Sequence, residues 1–191
     1  MLKTIVERTP WAYACCDTLI TAEDVASASR FQNECRRNEH LAWRRVVRRE
    51  LGRGVAISYN EVGAPVVDTP ETHISVAHGA GCVAVVISDQ RVGIDIETTE
   101  RDFTRASSRY MTEREAQLST AEWWPAAVWT AKEALYKLLG RRGVELRSEL
   151  QLIAYDAESM RITALLPDNI DAIVDIEFRE ETTIVATARF N

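Results

Sequence analysis

Apolar and polar positions along this chain fall into two rhythms, and the switch from one to the other happens twice. After an apolar start through Leu19-Ile20, Thr21 stands three positions ahead of Asp24, the mark of a capped helix N-terminus. A longer helix is predicted from near Asn33 to Leu51, closed by Gly52. Short strand-like runs follow at residues 55–59, 72–77, 82–88 and 92–97. The last three are joined by Gly79-Ala80-Gly81 and Asp89-Gln90-Arg91, links short enough for antiparallel hairpins.

The order then repeats. Helical patterns cover residues 103–118 and 125–139, the second with Pro125 in its first turn and Gly140 just past its end. Strand-like runs return at 150–155, 161–166, 173–178 and 183–190. Flexible stretches are expected at 60–71, at 98–102 and at the Arg141-Arg142-Gly143 turn. Helices followed by an antiparallel meander, twice over, predict an α+β fold. Its two similar halves would span residues 1–97 and 98–191, each with helices packed on an antiparallel sheet. The duplication rests on element order, with no residue-level repeat.

Composition narrows the class. The 191 residues are 46% hydrophobic and 27% charged, enough for a buried core. No apolar run approaches the ~20 residues of a membrane span. The segment from Met1 to Arg8 lacks a basic start and an apolar core of a signal peptide, so a cytoplasmic protein is expected. A net charge of −6 argues against a nucleic-acid binder. Cys15, Cys16, Cys35 and Cys82 show no zinc-ligand spacing and are expected to be buried, reduced thiols.

Four segments carry candidate chemistry. In Val92-Gly93-Ile94-Asp95-Ile96-Glu97, residues two apart share a strand face, so Asp95 and Glu97 can converge on one cation. The same alternation is also that of any half-exposed strand. In the predicted helix 125–139, Trp129, Lys132, Glu133, Tyr136 and Lys137 form one stripe. The opposite arc, Val128, Ala131, Leu135, Leu138 and Leu139, suits the core. Glu133 followed by Lys137 is ordinary on a solvated helix, but Trp129 and Lys132 beside them suggest a face turned to a ligand or to the other half. Ile74-Ser75-Val76-Ala77-His78-Gly79-Ala80-Gly81 reads as a strand, a histidine and a small-residue loop open to a phosphate or a plain turn. Arg36, Arg37, Arg44, Arg45, Arg48 and Arg49 crowd one helix, which fits an anion site or a solvated surface.

Taken together, these segments resemble the 4′-phosphopantetheinyl transferases. Gly93-Ile94-Asp95-Ile96-Glu97 with Trp129-x-x-Lys132-Glu133-x-x-x-Lys137 looks like that family's signature pair. Residues 74–81 resemble its strand ending in Ser-His-Ser, and residues 41–48 its arginine-bearing helix. The length and doubled order resemble the surfactin-type branch, a pseudo-dimeric monomer with the active site between its halves.

The resemblance implies transfer of the phosphopantetheine arm from coenzyme A, as co-substrate, to a serine of an apo acyl or peptidyl carrier protein, releasing 3′,5′-ADP. The catalytic residues it implies are Glu133 as general base, Lys137 and Asp95. Asp95, Glu97 and Glu133 would bind Mg²⁺, with Mn²⁺ as a substitute, and Glu115 would lie near the metal. Arg44, Arg48, His78, Lys132 and Lys137 would hold the coenzyme's phosphates. Arg105, Arg109 and Arg114 are the candidate carrier surface, and neither a membrane nor a nucleic acid is implied.

The chain departs from the family pattern at Ala77 and Gly79, where the two serines stand, and at Ala64, where a lysine is common. Those losses motivate a rival expectation, a non-catalytic carrier- or nucleotide-binding scaffold on the same fold. A nucleic-acid binder using the arginine helix is a third.

Overall fold

Local chemistry starts the helices where the sequence places them. The computed structural model describes residues 2–10 and 17–191. Thr21 caps α1 (Ala22–Ala28) in a reciprocal capping box with Asp24. The Asn33 side chain accepts from the Arg36 amide and opens α2 (Glu34–Leu51), and Gly52 ends it. Later, α4 (Trp124–Leu139) carries Pro125 in its first turn and closes on Gly140 in the left-handed region.

The strands form two main sheets. In the first, β5 (Cys82–Ser88) lies between β1 (Leu2–Arg8) and β4 (His73–Gly79), antiparallel to both. One face of β5 (Val83, Val85, Ile87) packs on Ala42, Trp43, Val46 and Val47 of α2. Its other face (Ala84, Val86) packs on Ile94 and Ile96 of β6 (Val92–Thr98). Burial on both sides explains why 82–88 reads as a continuous apolar run without alternation. The β4–β5 hairpin is as expected. No β5–β6 hairpin forms: β1 and β4 occupy both edges of β5, so β6 leaves for the second sheet and pairs with β10 (Thr183–Phe190).

The second sheet runs β6-β10-β9-β8-β7, with β7 at Gln151–Asp156, β8 at Arg161–Leu166 and β9 at Ile170–Arg179. Val128, Ala131, Leu135, Leu138 and Leu139 of α4 are buried in its core, the arc expected to face inward. The whole is α+β, each main sheet antiparallel and covered by one long helix.

Three expectations are corrected. The stretch 60–71 is not loop throughout: β3 (Pro65–Val67) pairs with β2 (Ile57–Tyr59). Strand β1 lies in a segment for which no element was expected. The predicted helix 103–118 breaks into a 3₁₀ segment, Thr104–Arg109, and α3 (Glu113–Ala116). Tyr110 causes the break. Its buried hydroxyl donates to the carbonyls of Phe103 and Pro125, and Thr112 then recaps the chain with Glu115. Arg105, Arg109 and Arg114 are exposed, but on different elements. Cys82 is a buried free thiol, Cys35 is free and exposed, and Cys15 and Cys16 lie outside the described residues. Among the described residues no helix is long and apolar enough to cross a membrane.

Candidate active site between β6 and α4

Gly93 sets the approach of β6 to α4. A Cβ there would run into the Ala134 carbonyl oxygen and come 2.7 Å from the Leu138 nitrogen. Only glycine lets strand and helix meet backbone to backbone. Strand side chains alternate, so Asp95 and Glu97 share the face of Gly93 while Ile94 and Ile96 enter the core behind. Glu133 and Lys137 flank the crossing on the helix. Lys137 Nζ donates to Asp95 Oδ1 and to the Ile94 carbonyl, 2.8 Å each. Asp95, Glu97, Glu133 and Lys137 are thus brought together.

The three carboxylates feel one another. Burial raises the pKa of Glu133, the negative charges of Asp95 and Glu97 add to it, and Lys137 opposes. Burial also raises Glu97, with Asp95 adding, while Arg101 and a hydrogen bond from Trp129 pull it down. Arg101 Nη1 lies 3.0 Å from Glu97 Oε1. No three His, Cys, Asp or Glu side chains among the described residues converge as a ready ligand set. Asp95 and Glu97 each hold a protein cation instead. The donor set still suits a hard cation. Its carboxylate oxygens repel one another, and Mg²⁺ asks for only one or two of them beside phosphate oxygens and water.

Residue 78 projects to the cleft and its neighbours do not. His78 lines a pocket with Arg36, Glu39, His40, Trp43 and Tyr59. Removal from water lowers the pKa of its ring, Glu39 opposes this, and Arg36 and Lys137 reinforce it. Ala77 is buried against β6, and a Cβ on Gly79 would meet the Ile96 carbonyl. Ser75 uses its hydroxyl to accept from the Ile94 amide at 3.1 Å. Positions 75, 77 and 79 therefore serve the contact between β4 and β6. The hydroxyls missing at Ala77 and Gly79 are not missing from the wall that His78 lines.

Arg44 and Arg48 do not take the expected place. They are 3% and 5% exposed and converge on the buried Asp24. Arg44 Nε donates to Asp24 Oδ1 at 3.0 Å, Arg48 pairs with both oxygens, and Arg44 Nη1 reaches the Tyr59 hydroxyl at 3.1 Å. Arg44 also stacks 4.2 Å from the Trp43 ring centroid. Both guanidinium groups are committed to Asp24 inside the protein, while the exposed arginine beside His78 is Arg36, 2.6 Å from His78 Nδ1.

The Asp24 cluster has a pH signature. His40, 2.6 Å from the Ser27 hydroxyl, is held down to a pKa of about 4, mainly by burial and then by the charge of Arg44, with Asp24 opposing. A histidine lowered in the folded state favours folding above its unfolded pKa of 6.5, and that contribution is lost as pH falls toward 4. The expected loss between pH 7 and pH 4 is about 3 kcal/mol. Urea unfolding of wild type and His40→Gln at both pH values isolates it: the wild type should lose about 3 kcal/mol more. Equal losses would refute the assignment.

Lys132 and Glu115 are also corrected. Lys132 is fully buried, pointing away from the cleft. Its Nζ sits 2.8 Å from Glu115 Oε1 and 3.0 Å from the Leu146 carbonyl. Glu115, 2% exposed, accepts from the amides of Thr112 and Leu152 as well. Burial lowers the pKa of Lys132 and Glu115 raises it. The pair joins α4 to α3, α5 (Leu146–Glu149) and β7, and both side chains are enclosed and paired, closed to a phosphate. Glu133, one step of 100° round the helix, turns instead toward Asp95 and Glu97. Sequence reasoning also missed the contacts of Arg101 and Trp129 with Glu97. Trp129, on the stripe of Glu133, was the available signal, and it rests edge-on against Tyr110 at 5.2 Å.

Residues 91–183 match the family model of the 4′-phosphopantetheinyl transferase superfamily. The match begins at the residue before β6 and takes in all of α4. No curated protein matches the chain.

Proposed function

We propose that this chain, whose residues 91–183 match the family model of the 4′-phosphopantetheinyl transferase superfamily, moves the phosphopantetheine arm of coenzyme A onto a serine of an apo acyl or peptidyl carrier protein. The observation that carries this reading is the grouping of Asp95, Glu97, Glu133 and Lys137 across the Gly93 contact.

Glu133 is placed to take the proton of the attacking serine hydroxyl. Its carboxylate is half-buried, and the elevated pKa makes it a better base than a free glutamate. The serine oxygen forms a bond to the phosphorus that bears the pantetheine arm. The bond from that phosphorus to the bridging oxygen breaks, and 3′,5′-ADP leaves with the electron pair. Lys137, fixed by Asp95 and the Ile94 carbonyl, meets the negative charge that grows on the leaving group. Asp95 and Glu97, with Glu133, would hold Mg²⁺, which neutralises pyrophosphate oxygens when bound. The pocket of Trp43, Tyr59 and His78, whose imidazole feels the charge of Lys137, suits a partly apolar ligand. We place the protein in the pseudo-dimeric branch, acting as a monomer.

Incubation with Mg²⁺, coenzyme A and a panel of apo carrier proteins should add one phosphopantetheine mass to at least one carrier. The same mixture with Asp95→Ala should add none, with an unchanged circular dichroism spectrum. Folded wild-type protein that modifies no carrier would overturn the proposal.

A further inference from the structure

Two protein cations hold the carboxylates of the site, and the chemistry above uses only one of them. Lys137 is fixed twice, by Asp95 and by the Ile94 carbonyl, and its side chain is 29% exposed. Arg101 meets Glu97 through Nη1, 3.0 Å from Oε1, and its side chain is 60% exposed. The first is an anchored group. The second is a surface partner on an enclosed carboxylate.

The backbone on either side of Arg101 is tied down. The Thr99 amide donates to the Thr182 carbonyl at 2.7 Å. The Asp102 carboxylate accepts from the amide and the hydroxyl of Thr104, and Phe103 is buried. The part with room to move is the side chain of Arg101, whose guanidinium lies over the Phe103 ring, 5.1 Å from its centroid. Beside it opens a cavity of about 220 Å³ between this loop and the start of α4. Glu100 and Asp102 line it from the loop, and Glu122 from the residues that lead into the helix. Arg101 is the one cation in that lining, among three carboxylates. Its guanidinium therefore stands between two anionic places, Glu97 and the cavity.

Charge decides which of them it takes. Asp95, Glu97 and Glu133 raise one another's proton affinity, so a cation on Glu97 relieves their repulsion. A divalent cation on the same carboxylate does this with twice the charge, and it repels the guanidinium. An exposed ion pair is too weak to resist that exchange.

We propose that Arg101 is a positioning residue, a tethered counter-ion that holds Glu97 until a divalent cation takes that carboxylate, and then turns into the cavity at Glu122. The proposal rests on Glu97 being a metal ligand, as in the reading above. It makes metal uptake an exchange of one cation for another.

Electron paramagnetic resonance of free Mn²⁺, in mixtures of the full chain with coenzyme A and no carrier, reads the exchange without turnover. Coenzyme A alone supplies the blank. Arg101→Gln should bind Mn²⁺ about two- to fivefold tighter than wild type, the factor an exposed ion pair is worth. Glu122→Gln removes the place to which Arg101 turns and should weaken binding by about the same factor. With Arg101→Gln already present, Glu122→Gln should change nothing. A mere effect of nearby charge would instead add across the two positions. Both residues are exposed, so each variant should keep the wild-type thermal midpoint. Unchanged or weaker binding by Arg101→Gln, or additive effects of the pair, overturns the counter-ion and leaves the transferase reading standing. A folded wild type that takes up no Mn²⁺ beyond the blank overturns the metal role of Glu97 together with it.

Discussion

Glu133→Gln will lower the rate of carrier modification by about a hundredfold or more, the range set by loss of a positioned general base. Glutamine keeps the length, the helix propensity and most of the packing of glutamate, so α4 and its contact with Gly93 persist. What it removes is the ability to accept a proton and one negative charge from a crowded set. The second effect distinguishes roles. With Asp95 and Glu97 relieved of a like charge, coenzyme A affinity should stay within a few-fold of wild type while the chemical step collapses. Single-turnover mass spectrometry of the holo carrier, beside calorimetry of coenzyme A, separates the two. A rate within threefold of wild type would exclude Glu133 as the base.

Lys132→Ala will destabilise the fold by about 3–5 kcal/mol, the cost of leaving a buried charge without its partner. Glu115 is 2% exposed and holds two backbone amides, so it can neither reach water nor swing to another cation. Loss of the ammonium also strips a donor from the Leu146 carbonyl. Lys132→Met with Glu115→Gln should recover most of the loss, because glutamine still accepts from an amide and methionine fills the volume. Urea unfolding measures both variants. The double variant should also keep wild-type affinity for coenzyme A, which a phosphate-binding Lys132 would not allow.

The sequence disclosed what is local. Thr21 with Asp24, Asn33 with Gly52, and Pro125 with Gly140 mark helix ends through contacts within a few residues, and each end lies where those residues put it. The runs 82–88, 161–166 and 183–190 are strands to the residue. Asp95 and Glu97 were legible because strand geometry fixes them to one face. Lys132 was not. A stripe drawn on a helix leaves its rotation toward the core open, and the residue that settles it, Glu115, is 17 positions away. Arg44 and Arg48 fail as phosphate ligands for the same reason, since Asp24 meets them only after α1 folds back on α2. The break at Tyr110 was half legible. Thr112 with Glu115 is a capping box that could have been read, but the hydroxyl contacts of Tyr110 reach elements far along the chain.

Strand β6 has one edge on β10 and the other against β4, through Ser75 and Gly79. A nick in the Asp89-Gln90-Arg91 link would leave β6 with its sheet partner and keep Asp95, Glu97, Glu133 and Lys137 on one polypeptide. His78 and the whole of α2 would stay on the other. Proton transfer and part of the grip on substrate would then reside on separate molecules, and turnover would report their reunion. The loop that joins the two sheets is in that sense a natural seam for a split reporter.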